Sequence, residues 1–210
     1  MMSYAISSHL RLVLDTDVLV AAMRSRGGAS WQLVDRALTR EFTLLLSVPL
    51  VLEYEAVLTR EEHRKVHGLS ASEVDEVINS LTSAAESVQI RFLWRPFLSD
   101  PTDDMVLETA VNGRADLLVT FNQEDFAAAA KAFAVKIVRP SEALLRLQAR
   151  RRESKREKGY ETEQLPITVG LVFTRGGSQD SRERGDIAQS AHQSSGRREN
   201  LCLAYRRVLS

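Results

Sequence analysis

The sequence predicts an α/β protein with a central, mostly parallel sheet covered by helices on both faces. Short apolar runs alternate with amphipathic helical segments along the first 150 residues of the 210-residue chain, which is the pattern of strands joined by crossover helices. Acidic or amide residues follow several of these runs. Because ligands bind at the carboxyl ends of the strands in such sheets, the pattern predicts a polar site at that edge.

The first elements are a strand, two helices and a second strand. Arg11 to Leu14 is a short apolar run that ends at Asp15, and a helical period follows it. Ser30 is expected to cap the next helix. The run from Phe42 to Leu46 then predicts a second buried strand.

Helix-start signals mark the middle of the chain. Pro49 stands where a helix begins. Ser70 and Glu73 form a capping-box pattern for a helix over residues 70–83. The segment Asp100-Pro101-Thr102-Asp103 predicts a helix that runs to Gly113, with an N-cap acid followed by proline.

Two further strands and two helices complete the predicted domain. Residues 116–120 and 134–138 are strand-like runs, separated by a helix over residues 122–133. Pro140-Ser141 opens a last helix that is expected to end near Arg152.

The charge distribution divides the chain into an acidic body and a basic tail. Up to residue 145 there are 14 Lys and Arg against 20 Asp and Glu, and beyond it 14 against 8. From residue 174 to 200 the only large aliphatic residue is Ile187. We therefore predict an N-terminal extension (1–10), a folded domain (11–150) and a disordered tail (151–210).

The composition excludes several classes of protein. The single Cys202 and four histidines rule out a disulfide framework and a Cys/His zinc cluster. No apolar run approaches the ~20 residues that span a bilayer, and the first residues do not read as a signal peptide. A cytoplasmic protein is expected.

Acidic residues at predicted strand ends and helix starts are the candidate site. Asp15 follows the first strand at the sheet edge. Glu53 interrupts the apolar segment Leu50–Tyr54, where a buried carboxylate needs a partner or a metal. Asp100, Asp103 and Asp104 exceed what capping of one helix requires.

Two further candidates have an alternative interpretation. Asp17 and Asn122 each stand close to a predicted helix start, so each is also explained as a helix cap. If they instead belong to the site, they converge with the acids on one edge of the sheet.

Oxygen ligands without His or Cys suit Mg²⁺ or Mn²⁺, and the matching chemistry is metal-assisted hydrolysis of phosphodiesters. Neither a Ser-His-Asp arrangement nor a phosphate-binding glycine loop competes.

Four segments in order carry a resemblance to a known family. They are Leu12–Val20, Ser47–Leu58, Asp100–Glu108 and Ala115–Asn122. Together they resemble the PIN domain, and in particular the VapC-like toxin components of prokaryotic toxin–antitoxin systems. The resemblance covers roughly residues 10 to 148.

The resemblance implies a three-layer α/β/α fold and a Mg²⁺- or Mn²⁺-dependent ribonuclease that acts on single-stranded RNA. It also implies a small antitoxin that blocks the site, and a homodimer. By position, Asp15, Glu53 and Asp104 correspond to the core acidic residues of the family. This sequence departs from the family pattern at two positions, with Asp17 where Asn is usual and Asn122 where an acid is usual.

The remaining site residues follow as hypotheses. We expect Asp17, Asp103 and Asn122 to support metal-bound waters or a second ion. Because the body is acidic, local basic residues must guide substrate phosphates to the site. The expected substrate-binding residues are Thr16, Thr120, Arg24 and Arg26.

Two alternative functions stay open. One is a non-catalytic PIN-fold module that binds RNA or protein, its metal site weakened by Asn122. The other is a phosphatase of the haloacid-dehalogenase type with Asp15 as nucleophile, although no Lys stands at a strand end before the acid pair.

Overall fold

The computed structural model describes residues 9–163, which form five strands and eight helices. In chain order these elements are β1 (Arg11–Leu14), α1 (Thr16–Arg24), α2 (Ala29–Leu38), β2 (Thr43–Leu46), α3 (Val48–Thr59), α4 (Glu61–His67), α5 (Ala71–Ala84), β3 (Glu86–Ser87), α6 (Pro101–Asn112), β4 (Leu117–Val119), α7 (Ala127–Phe133), β5 (Lys136–Val138) and α8 (Pro140–Glu163).

The strands form one parallel sheet in the order β3-β2-β1-β4-β5, which confirms the predicted fold class. Leu12 in β1 is aligned with Leu44 on one side and Leu117 on the other. The strand order reverses between β1 and β4. Because crossovers are right-handed, the helices that follow this reversal lie on the opposite face from those before it. The reversal also opens a crevice at the carboxyl ends of β1 and β4.

The apolar strands are buried because helices cover them. Leu12, Val13 and Leu14 are all at most 1% exposed. The Tyr54 hydroxyl of α3 donates a hydrogen bond to the carbonyl of Leu14, which ties this helix to the end of β1. At Gly113, a Cβ atom would lie 2.8 Å from the Thr109 carbonyl oxygen, so the end of α6 packs in a space that only glycine fits.

The predicted helix caps are partly confirmed. Ser70 and Glu73 form the capping box of α5, and Asp100 caps α6. Ser30 is not a cap, because Gly28 occupies the N-cap of α2 and Ser30 is buried inside the helix. Asn122 is not a cap either: α7 begins only after the fully buried Phe126.

Two elements were not predicted. The helix α4 begins at the charged run Arg60-Glu61-Glu62, which has no apolar stripe. Glu61 and Glu62 in its first turn and the Glu61–Lys65 ion pair of 2.7 Å are typical of a surface helix. The strand β3 has only two residues, both exposed, so it has no apolar pattern.

The last helix continues to Glu163 rather than ending near Arg152. Residues 151–163, predicted as the start of a disordered tail, are helical, because Arg, Lys and Glu form helices well without an apolar face. The predicted boundary at residue 150 therefore falls inside α8. Residues 1–8 of the predicted extension and 164–210 of the predicted tail lie outside the described residues. Within residues 9–163 no helix is long and apolar enough to cross a membrane.

Candidate active site

A cleft of about 250 Å³ lies at the carboxyl edge of the sheet, where the strand order reverses. Its walls come from four separate parts of the chain: the start of α1, the helix α3 with its end, the start of α6, and the segment after β4. The lining residues are Asp15, Thr16, Asp17, Glu53, Val57, Arg60, Asp100, Thr102, Asp103 and Asn122. The four segments that were expected to converge on this edge do so.

Asp15 is held rigidly at the base of the cleft. It follows β1 directly, caps α1 and is 6% exposed. Its Oδ1 accepts a hydrogen bond of 2.6 Å from the Thr16 backbone N–H, and its Oδ2 accepts one of 2.7 Å from the Thr120 hydroxyl. Both carboxylate oxygens are therefore fixed by the backbone turn and by the end of β4.

Hydrogen bonds within the described residues satisfy only one of the two carboxylate oxygens of Asp17. Asp15 is the cap of α1, and Asp17 lies in the first turn. Its Oδ2 accepts a hydrogen bond of 3.0 Å from the Phe121 backbone N–H. Its Oδ1 is buried and has no hydrogen-bond partner within residues 9–163. Buried carboxylate oxygens are rarely left unpaired, and an unmet one indicates a missing ion or water.

The carboxylates raise one another's pKa. Burial, and then the charge of Asp17, raise the pKa of Asp15 to about 7. Burial also raises the pKa of Asp17. Burial, followed by repulsion from Asp100 and other acids, raises the pKa of Asp103 to about 6. A cation in the cleft would relieve all three effects, because it would favour the charged form of each group.

Glu53 has the partner that its position requires. It is 15% exposed, and its Oε1 lies 3.6 Å from Nη2 of Arg60. Among the described residues that line the cleft, Arg60 is the only cation. Five carboxylates line the same cleft, so Arg60 leaves most of their negative charge uncompensated.

Of the two adjacent acids in α6, the structure brings Asp103 to the cleft and not Asp104. Asp104 is 1% exposed, and its Oδ1 accepts a hydrogen bond of 2.9 Å from the Leu98 backbone N–H. Neighbouring residues on a helix point about 100° apart, and of these two only Asp103 lines the cleft. The carboxylate of Asp104 anchors the loop before α6, and the predicted role of this residue as a catalytic acid and metal ligand stays a prediction.

The expected substrate-binding residues lie in different places. Thr16 lines the cleft, but Thr120 is fully buried and uses its hydroxyl to hold Asp15 and to accept from the Asn122 N–H at 2.9 Å. Thr120 is therefore a positioning residue. Arg24 lies in a neighbouring groove of about 480 Å³, and Arg26 lines neither space.

Arg60 in the cleft and His63 in the neighbouring groove were not predicted from the sequence. The Arg24 guanidinium donates a hydrogen bond of 2.8 Å to Nδ1 of His63, and both line the neighbouring groove. Burial, followed by the charge of Arg24, lowers the pKa of His63. Arg60 is the N-cap of α4 and His63 lies near the start of this helix. A prediction of α4 from its acidic first turn would therefore have located both residues.

The donor set of the cleft fits a divalent cation. Within the described residues no three Asp, Glu, His or Cys side chains already form a metal cluster. A bound cation would nevertheless pair with Oδ1 of Asp17, which has no partner in the described residues. It would also favour the charged forms of Asp15 and Asp103, whose pKa values are raised. The ligands are oxygen atoms only, which Mg²⁺ and Mn²⁺ prefer.

The model of one known family, the PIN domain, matches residues 11–124. The chain belongs to the PIN domain family. The match covers more than half of the 210 residues, from β1 to just past β4, and includes every residue that lines the cleft. No curated protein is significantly similar to the chain. PIN domains are typically nucleases and generally use divalent metals, so family membership indicates a nuclease.

Proposed function

We propose that this PIN domain is a divalent-metal-dependent endoribonuclease that hydrolyses single-stranded RNA and acts as the toxin of a toxin–antitoxin pair. One observation carries the nuclease assignment. Five carboxylates line a small cleft, and one of their buried oxygens, Oδ1 of Asp17, has no partner in the described part of the chain. The choice of RNA and of a toxin rests on the resemblance of the four segments to VapC-like proteins.

The metal ligands would be Asp15, Asp17 and Asp103, with Glu53 contributed by α3. They are the carboxylates of the cleft that are at least partly buried. A Mg²⁺ or Mn²⁺ ion bound there would supply Lewis-acid activation of water and neutralise charge on the phosphate. Asn122 lines the cleft as a neutral oxygen donor.

The protein's own groups prepare the cleft for this chemistry. The Thr120 hydroxyl and the Thr16 N–H fix the two oxygens of Asp15 before substrate arrives, which limits the reorganisation that the reaction requires. Arg60 is about half-exposed and makes only a long contact with Glu53. Its guanidinium is therefore the group in the cleft best placed to bind a substrate phosphate.

The existence of partners for this PIN domain is proposed on the resemblance to VapC-like proteins. A small antitoxin would block the cleft, and the surplus of carboxylates there favours an inhibitor that inserts a basic side chain. A homodimer and a cytoplasmic location complete the proposal.

The alternative of a phosphatase with Asp15 as nucleophile loses support on geometry. Both oxygens of Asp15 already accept hydrogen bonds, and the residue is 6% exposed. A non-catalytic binding module has one observation in its favour, the lack of a preformed three-ligand cluster within residues 9–163.

Cleavage of a mixed pool of single-stranded RNA by the full-length protein tests the proposal. We expect cleavage with Mg²⁺ or Mn²⁺, none with chelator, and none with Asp17→Asn. The matched control is Asp75→Asn on the exposed side of α5, which should cut like the wild type. RNA binding without metal-dependent cutting would favour the binding module, and cutting by Asp17→Asn at the wild-type rate would overturn the site.

A further inference from the structure

A second and larger cleft lies at the opposite edge of the sheet, and we call it the basic groove. Its volume is about 800 Å³. It is lined by Arg11 at the start of β1, by seven residues of the segment 86–94 after α5, and by the end of α6 up to Arg114. Arg11 lines this groove and Asp15 lines the active-site cleft, and the two residues lie about 13 Å apart along β1.

The charged residues that line the basic groove are three arginines and one acid, Glu86. Arg11 is occupied by an ion pair of 2.7 Å with Glu86 and by hydrogen bonds to the Gly113 carbonyl. Arg91 and Arg114 are exposed, and within residues 9–163 neither guanidinium makes a hydrogen bond or an ion pair. Within residues 9–163 the groove is therefore lined by two cations without a bonded partner, whereas the active-site cleft is lined by five carboxylates and one arginine.

Aromatic rings continue from the basic groove. Phe92 is 65% exposed at its edge, and its ring centroid lies 5.9 Å from that of Trp94. Trp94 contacts Phe133 at 5.0 Å, and Phe133 contacts the half-exposed Phe97 at 5.2 Å. The four rings form a row, and its exposed members can offer flat faces to a planar ligand.

Three side chains on one face of α6 hold this row in place. Asn112, Glu108 and Asp104 are spaced four residues apart, and they accept hydrogen bonds from the backbone N–H groups of Phe92 (3.1 Å), Trp94 (3.1 Å) and Leu98 (2.9 Å). The segment 91–98 therefore runs back along α6 for about 12 Å. It begins at the basic groove and ends beside Asp104, whose neighbour Asp103 lines the active-site cleft.

We propose that the basic groove and the segment 91–98 bind single-stranded RNA outside the active-site cleft. Arg91 and Arg114 bind phosphates, and Phe92 and Trp94 stack on bases, which is how single strands are recognised without pairing. The site supplies the attraction that the negative cleft lacks. This inference rests on the proposed function, because it names how the substrate of that site is held.

RNA binding to the full-length Asp17→Asn variant, in the presence of chelator, measures the groove without cleavage. The probe is a fluorescently labelled single-stranded RNA of about 16 nucleotides, and the readout is anisotropy. We expect the Arg91→Glu, Arg114→Glu double substitution to weaken binding by about ten-fold or more. The matched control, Arg139→Glu with Arg150→Glu, makes the same change of charge at two exposed residues outside the groove and should stay within about two-fold of the parent.

Trp94 provides a second readout that charge alone does not move. In a Trp31→Phe background Trp94 is the single tryptophan, so RNA should quench its fluorescence, whereas heparin, a polyanion without bases, should not. Unchanged affinity of the double variant, or no quenching by RNA, would overturn the proposal. Quenching that depends on protein concentration in the absence of RNA would instead assign the aromatic row to self-association.

RNA binding and RNA cleavage test the basic groove and the nuclease site separately. A protein that binds RNA through Arg91 and Arg114 but never cuts it would retain the groove and lose the nuclease. A protein that cuts RNA with a kcat/KM unaffected by the double substitution would retain the nuclease and lose the groove. If both are correct, the double variant should raise KM for long RNA and leave the cleavage of RNA of about four nucleotides unchanged.

Discussion

The Thr120 hydroxyl donates a hydrogen bond of 2.7 Å to Oδ2 of Asp15, and this bond joins the ends of the neighbouring strands β4 and β1. It lies at the point where the strand order reverses. Thr120 is fully buried, so its hydroxyl serves the carboxylate and not the solvent. The orientation of the central acid of the cleft therefore depends on a residue 105 positions away in the chain.

Thr120→Val should remove this bond while keeping the shape of the side chain. We expect kcat for RNA cleavage to fall by about 10- to 100-fold, because Asp15 loses its fixed orientation, and stability to fall by about 1–2 kcal/mol. Single-turnover kinetics and urea denaturation measure the two effects. Thr120→Ser restores the hydroxyl and should recover most of the rate. A Val variant with wild-type kcat would show that Thr120 does not position the site.

Asp15→Asn should stabilise the metal-free protein at high pH. The pKa of Asp15 is raised to about 7 in the folded state, so the folded protein holds this proton more tightly than the unfolded chain does. Its contribution to stability therefore falls as the pH rises from the unfolded pKa of about 4 towards 7, and the full cost is present above 7. Asn carries no charge and still accepts the capping hydrogen bond.

Urea denaturation at about pH 5 and about pH 8, with chelator present, measures this difference. We expect Asp15→Asn to exceed the wild type by about 1–3 kcal/mol at the higher pH and by clearly less at the lower one. An advantage that did not grow with pH would contradict the raised pKa.

Mg²⁺ or Mn²⁺ should raise the melting temperature of the wild-type protein. A ligand that binds only the folded state stabilises it by about 3 kcal/mol at a hundred-fold excess over Kd. Asp17→Asn should remove most of this shift, because it replaces the carboxylate whose Oδ1 has no partner in the described chain. Equal shifts in Asp17→Asn and Asp75→Asn would locate the cation elsewhere.

Substitution of the two neighbouring acids of α6 should separate activity from stability. Asp103→Asn should abolish cleavage with little change in stability, because the residue lines the cleft. Asp104→Ala should cost about 1–3 kcal/mol, because the buried N–H of Leu98 loses its acceptor. Thermal melts with and without Mn²⁺ compare the two. If Asp104→Ala lost the metal-induced shift and kept its stability, the roles assigned to these residues would be reversed.

The sequence predicted the architecture well, because its central elements have strong local signals. The strand Arg11–Leu14 has three consecutive apolar residues before an acid, and Asp100-Pro101 marks the start of α6. These two signals also locate Asp15 and the acids of α6. Local patterns fail where tertiary packing decides, as at α7, whose start is delayed by the burial of Phe126.

The sequence predicted which types of residue line the cleft, but not which of two adjacent acids does so. Position in the sequence shows that Asp103 and Asp104 lie in the first turn of a helix, but not which of them faces the cleft, since that depends on the loop that Asp104 anchors. The ion pair between Glu53 and Arg60 could not be predicted from the sequence either, because α4 begins at a charged run that has no apolar stripe.

The most direct test of a metal-dependent nuclease site in this cleft is the rate of single-stranded RNA cleavage as Mg²⁺ is titrated into wild-type protein and into Asp15→Asn. We expect a rate that rises with Mg²⁺ to saturation in the wild type and stays at background in the variant, although the variant is folded. A wild-type rate that does not depend on Mg²⁺, or a variant that cuts at the wild-type rate, would contradict the assignment of this cleft as a metal-dependent nuclease site.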